Sequence, residues 1–149
     1  MKIVKQPDNI LSRNLGKVKE ITPEIRELVL EMKETMKEAK GVGLAANQVG
    51  KDLAVFVIDE KLAMENKVPD AYINPEITEY SKDKSEMEEG CLSLPEYWRQ
   101  IPRSKKIKIK ALDINGKKVR FKAKGFLARV LQHEYDHLQG VSIKDRASP

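Results

Sequence analysis

The chain is poor in the side chains that usually bind metals or cross-link small folds: it has one cysteine, Cys91, and two histidines among 149 residues. A lone cysteine excludes an internal disulfide framework, so stability must come from a packed core, and this length is enough to bury one. One domain over residues 1–149 is the expectation. No apolar run approaches the roughly 20 residues that span a bilayer. The N-terminal Met1-Lys2-Ile3-Val4-Lys5-Gln6 lacks the apolar segment of a secretion signal. A soluble protein of a bacterial-type cytoplasm, without membrane contact, is expected. Aromatic residues are only 5% of the chain and no arginine-rich block occurs, so sequence-specific nucleic-acid recognition is not expected. The formal charge of +5 gives a positive field too mild to imply nucleic-acid binding by itself.

Scarcity makes the positions of the histidines informative. Both fall in His133-Glu134-Tyr135-Asp136-His137, an H-E-x-x-H pattern. Residues four apart share one face of a helix, so His133 and His137 can present two imidazoles to one metal ion, with Glu134 beside it. A carboxylate in that place can take the proton of a metal-bound water, which is hydrolytic chemistry at neutral pH. A catalytic site needs a third ligand and an open position. The segment after His137 offers only Asp145, so the third ligand is sought upstream, and Cys91 in Glu89-Gly90-Cys91-Leu92-Ser93 is the candidate. One thiolate and two imidazoles suit zinc and also iron(II), and ligand identity does not decide between them. A peptidase cutting internal bonds would want a downstream ligand. A purely structural site would fill all four positions and would not need Glu134.

The remaining segments read as scaffold. Pro7-Asp8 marks a turn after an extended arm, and Leu11, Leu15 and Val18 anchor the irregular segment after it, with no chemistry evident there. Thr22-Pro23-Glu24 starts an amphipathic helix with Ile25, Leu28, Val29, Met32 and Met36 on one side, and Gly41 is expected to end it. The small-residue stretch from Gly41 to Gly50 reads either as a tight structural turn or as exposed backbone against which a peptide can lie, with the Gln48 amide donating to a carbonyl. No P-loop lysine comes after it, so phosphate cradling is not expected. Leu53 to Ile58 is a buried strand. A helical turn is expected within Lys61 to Asn66. Ala71 to Pro75 and Ile77 to Tyr80 read as short strands broken at Pro75, and Ser81 to Glu88 as a solvated loop. Lys105 to Ala111 and Val119 to Ala123 alternate around Asn115-Gly116 as a hairpin whose lysines form a solvated outer face. Phe126 to Leu131 leads into the histidine motif as a largely buried helix.

Three stretches then stand in order: Gly41-Val42-Gly43-Leu44-Ala45-Ala46-Asn47-Gln48, Glu89-Gly90-Cys91-Leu92-Ser93, and Gln132-His133-Glu134-Tyr135-Asp136-His137. Together with Pro7-Asp8 they cover most of the chain and resemble the signature motifs of the peptide deformylases. The resemblance implies an α+β fold in which antiparallel sheets surround a central metal-binding helix, with the N-terminal amphipathic helix packed outside. It implies an enzyme that removes the formyl group from the N-terminal formylmethionine of new proteins by attack of a metal-bound water. On this resemblance Cys91, His133 and His137 hold the metal, Glu134 is general base and then acid, and Gln48 with the Leu92 backbone N–H forms the oxyanion hole. Backbone around Val42, Gly43 and Gly90 would pair with the substrate, and Val42, Leu92, Trp98, Val130 and His133 would line the methionine slot. Trp98 is read equally as a cover for the core. Glu89 and Arg103 would brace the cysteine loop by an ion pair, and Asp136 would support the metal helix. Iron(II) is the metal implied, with zinc, nickel or cobalt as substitutes. N-formylmethionyl nascent peptides are the implied partners. The long final helix by which some relatives dock on the ribosome does not follow Arg146 in this sequence, which speaks against attachment by that route, while a transient ribosome contact through a different basic surface stays open.

Overall fold

The structure, a computed structural model, describes residues 1–147. The last two positions of the tail searched for a third ligand, Ser148 and Pro149, lie outside the described residues. An arm and a 3-10 turn at Asn9–Ser12 lead into helix α1, Pro23–Glu38. Thr22 caps α1, its hydroxyl accepting from Ile25 N–H at 3.3 Å, and proline opens the first turn where no donor is needed. The helix stops at Glu38, and the left-handed turn expected of Gly41 falls one residue earlier. Lys40 takes the left-handed conformation (φ 58°), and Gly41 N–H closes the end on Met36 O at 2.9 Å. Gly41 meets a different demand, because a Cβ there would fall 2.8 Å from Leu92 Cδ1.

Five strands form one antiparallel sheet in the order β1 (Gly43–Ala45), β2 (Val55–Ile58), β3 (Ala71–Tyr80), β6 (Lys106–Leu112) and β7 (Lys118–Lys124). Helix α2, Glu60–Asn66, fills the connection after β2, capped by Asp59. Strand β3 is continuous where two strands broken at Pro75 were expected. The proline, which has no N–H for the ladder, is absorbed by a register shift between Ile73 and Glu76. Asn74 there turns to φ 51° and binds Val18 N–H and C=O through its side chain, at 2.8 Å each.

The segment expected as a solvated loop is largely a strand. Strand β4, Lys84–Cys91, pairs with β5, Leu94–Ser104, as a separate hairpin. Its residues from Lys84 to Glu88 are all exposed, so no apolar face marks the strand in the sequence.

Helix α3, Gly125–Leu138, carries the histidine motif. Alternation along β2 divides the core. Phe56 and Ile58 pack with Leu127, Val130 and Leu131 of α3, whereas Val55 and Val57 pack with Val29, Met32 and Met36 of α1. The α3 helix therefore lies between the five-stranded sheet and the β4–β5 hairpin, and α1 covers the sheet's far side. A last short helix, α4 (Ile143–Arg146), seats Ile143 against Leu94 and Ile101 of β5.

Candidate active site

Two features bring the motif residues together. The β4–β5 hairpin turns at Leu92-Ser93 with Cys91 opposite Leu94, and a register irregularity at Gly90 delivers the cysteine toward α3. One turn of α3 separates His133 from His137, whose Nε2 atoms lie 3.3 Å apart, with Cys91 Sγ 3.3 Å from His137 Nε2. All three ligand atoms fall within 4.8 Å of one another. Two nitrogens on a tetrahedron with bonds of about 2.0–2.1 Å sit at about this separation, so the donor set fits a metal of zinc-like size.

The surroundings prepare that fit. Glu89, buried at the end of β4, takes His133 Nδ1 at 2.9 Å, which turns Nε2 toward Cys91 and His137. Glu89 is in turn held by Arg103 Nε and Nη2 at 3.1 and 3.0 Å and by Arg129 Nη1. Arg103 continues to Asp136, and Asp136 accepts from Arg146 at 3.1 and 3.2 Å. Burial alone would push the Glu89 carboxyl up, but hydrogen bonds from His133 and Arg103 and their positive charge hold it at about 2. Burial disfavours charge on His133, yet hydrogen bonds to Cys91 and Glu89, with the Glu134 charge, lift its pKa to about 10. The same anionic surroundings favour a cation at this spot. His137 is driven well below the usual histidine value by burial and by His133, which keeps it a neutral donor.

Glu134 is 3% exposed, and its Oε1 has no hydrogen-bond partner although it is buried. Oε2 lies 4.0 Å from His133 Nε2. Burial raises its carboxyl to about 7, within the range of a working general base. Gly43 makes room for it, since a Cβ on Gly43 would fall 2.8 Å from Glu134 Cδ. Gln48 sits in a 3-10 turn, Ala46–Val49, its Oε1 accepting Ala45 N–H at 2.9 Å. Its Nε2 is thereby aimed at Ser93 Oγ, 3.2 Å away, and Cys91 Sγ, 3.5 Å away.

A cleft of about 510 Å³ opens over these groups, with Val42, Leu92, Phe126 and Val130 among its walls. Val42 is 46% exposed at its mouth, and its carbonyl already accepts Asp59 N–H at 2.9 Å. Gly43 begins an edge strand, so the outer side of β1 borders the cleft. Trp98 does not cover the core: it is 57% exposed, and its ring lies over Gly90, where a Cβ would come within 2.6 Å.

Sequence reasoning gave no individual role to Arg129, to Gln132 and Ser93 within their motifs, or to the arm. Arg129 stands one turn before His133 on α3, a spacing that could have marked it. Gln132 binds both Ser104 N–H (3.2 Å) and Ser104 C=O (2.9 Å), tying α3 to the end of β5. The arm, in whose sequence no chemistry is evident, joins both sides of the site. Val4 N–H reaches Gln48 O at 2.7 Å, Gln6 N–H reaches Ser93 O at 2.9 Å, and Lys5 Nζ reaches Leu92 O at 3.3 Å.

The sequence model of the family described as Polypeptide deformylase matches residues 1–149. The chain belongs to the polypeptide deformylase family. A peptide deformylase of Dictyoglomus turgidum is 48% identical over 99% of this chain and 92% of its own length. Peptide deformylase 1 of Clostridium perfringens is 49% identical over 93% of this chain and 91% of its own. Among solved structures, the Thermotoga maritima peptide deformylase superposes with a TM-score of 0.92 at 42% identity, covering 99% of this chain and 97% of that one. Polypeptide deformylases are metal-dependent hydrolases, and Cys91, His133 and His137 form a possible metal site in this member. Among the described residues no helix is long and apolar enough to cross a membrane.

Proposed function

We propose that this deformylase removes the formyl group from the N-terminal formylmethionine of newly made polypeptides, acting as one catalytic unit in a bacterial-type cytoplasm. The observation that carries the reading is the convergence of Cys91 Sγ and two histidine Nε2 atoms beside Glu134, whose buried Oε1 has no partner. Cys91, His133 and His137 would hold a divalent metal, which would supply an activated water and polarise the formyl carbonyl. Iron(II) is the resident ion in this reading, with zinc, nickel or cobalt as substitutes.

The chain's own groups do the rest. Glu134 takes a proton on its unpartnered oxygen and returns it to the departing amine nitrogen, a cycle suited to a carboxyl held near 7. Gln48 Nε2, fixed by the grip of Ala45 N–H on its other amide atom, donates to the formyl oxygen as charge builds there, together with Leu92 N–H. Val130, Leu92 and the His133 ring receive the methionine side chain. Gly43 on the edge of β1 and the main chain at Gly90 flank the peptide as neighbouring strands would. Trp98 and Val42 stand at the mouth, where residues after methionine pass.

The test is anaerobic incubation of iron(II)-, nickel- or zinc-loaded protein with formyl-Met-Ala-Ser and, separately, with an unformylated peptide. Formate release from the first alone supports the reading. Cleavage of internal bonds in the second, with no formate from the first under any metal, overturns it.

A further inference from the structure

Residues 106–124, strands β6 and β7 with their turn, hold eight lysines and arginines against one acid, Asp113, a net +7. The rest of the chain sums to −2, so its whole +5 comes from this one hairpin. The register then sets like against like: Lys106 opposite Lys124, Lys108 opposite Lys122, and Lys110 opposite Arg120.

Directly opposed like charges destabilise an antiparallel pair. A need for polar surface does not account for them, because α1 meets that need with mixed signs, Glu27, Glu31, Lys33, Glu34 and Lys37. Protection of an exposed edge accounts for lysines on β7, the edge strand, but not for the three on β6 inside the sheet. Two of the six are answered by acids on β3, Lys108 by Glu79 at 2.9 Å and Lys110 by Glu76 at 3.5 Å. Among the described residues Lys106, Arg120, Lys122 and Lys124 have no ion-pair partner.

This half of the sheet is open because α1 packs over β2 and its neighbours instead. A groove of about 470 Å³ lies there, with Lys106, Lys108, Lys122 and Lys124 among its walls. None of the large exposed apolar side chains belongs to the hairpin, so nothing on this face would enter a bilayer. Residues two apart on a strand repeat at about 6.7 Å. That is close to the separation of successive phosphates along one nucleic-acid strand.

We infer that the outer face of the β6–β7 hairpin binds RNA through its phosphate backbone, without regard to base sequence. The choice of RNA among polyanions rests on the proposed function, whose substrate is made beside ribosomal RNA. The surface lies on the opposite side of the sheet from α3, so binding and catalysis can be read separately.

The experiment uses the full chain and a fluorescently labelled RNA duplex of arbitrary sequence, followed by anisotropy over a range of salt. A triple variant, Arg120→Gln with Lys122→Gln and Lys124→Gln, is compared with a control that neutralises Lys17, Lys19 and Lys51. The expected result is binding that weakens with salt, at least about tenfold weaker in the triple variant. Its log–log salt slope should be shallower by about 0.9 for each phosphate that the variant no longer neutralises. The control should bind like the wild type, and all three proteins should release formate from formyl-Met-Ala-Ser at one rate. Equal binding by the triple variant and the wild type, equal loss in variant and control, or binding to phosphatidylserine vesicles without binding to RNA would overturn the inference. Loss of formate release by the wild type would count against the enzyme reading instead.

Discussion

His133 Nδ1 lies 2.9 Å from Glu89 Oε1, so the carboxylate that orients a candidate metal ligand is the one that also neutralises Arg103 and Arg129. The cysteine-bearing strand and the histidine-bearing helix are therefore coupled through one buried charge.

Replacing that charge should cost stability in a pH-dependent way. Glu89→Gln leaves the buried Arg129 guanidinium without its anion and Arg103 with Asp136 alone, a loss of about 3–5 kcal/mol at neutral pH. The folded carboxyl titrates at about 2 against an ordinary 4.5, so its contribution is complete above 4.5 and disappears as pH falls toward 2. Urea unfolding of wild type and variant at several pH values should show the two stabilities converging across that interval. A constant gap from neutral pH to 2 would show that the carboxylate's ionisation is not what stabilises the fold.

Gly43 should matter through the space it leaves. Gly43→Ala puts a methyl 2.8 Å from Glu134 Cδ and forces the carboxylate aside. Displacing a catalytic group by about 1 Å can cost about 100-fold in rate, so kcat should fall on that scale with the unfolding midpoint little changed. Steady-state kinetics beside a denaturation curve checks both.

Gln132 acts as a surrogate strand neighbour for Ser104. With Gln132→Leu the buried N–H and C=O of Ser104 lose their partner, and each buried group left unsatisfied costs about 1–3 kcal/mol. The expected outcome is a lower urea midpoint with metal content preserved.

The arm should tune the rate. Val4→Pro removes the N–H that Gln48 O accepts at 2.7 Å, loosening the turn that aims the Gln48 amide. One hydrogen bond is worth about 0.5–1.5 kcal/mol, so kcat should drop about two- to tenfold with KM nearly unchanged. An equal rise in KM would place the arm's effect in substrate binding.

The parts of this fold that were legible in the sequence are those whose environment imposes a period. Strand β6 alternates because one face meets α3 and the other meets water, and α1 shows its apolar stripe because only one side packs on the sheet. Strand β4 was illegible for the converse reason. Exposed on both faces from Lys84 to Glu88, it is held by pairing to β5 and not by burial, so its composition is that of a loop. At the site, the ligands could be read because histidine and cysteine are scarce and their spacing is chemical. Arg129 was marked only by its spacing one turn before His133, and its partners could not be read, since Glu89 and Ile101 come from β4 and β5. Whole-chain charge likewise hid the hairpin's +7 behind an acidic remainder.

The central claim is that Glu134 moves the proton while Cys91, His133 and His137 hold the metal. The most direct measurement is formate release from formyl-Met-Ala-Ser by iron(II)-loaded wild type and Glu134→Ala, with metal content determined on the same samples. The account predicts equal metal in both and a rate about 100- to 10,000-fold lower in the variant, the range a positioned acid–base group contributes. A Glu134→Ala protein that holds its metal and deformylates at the wild-type rate would contradict it.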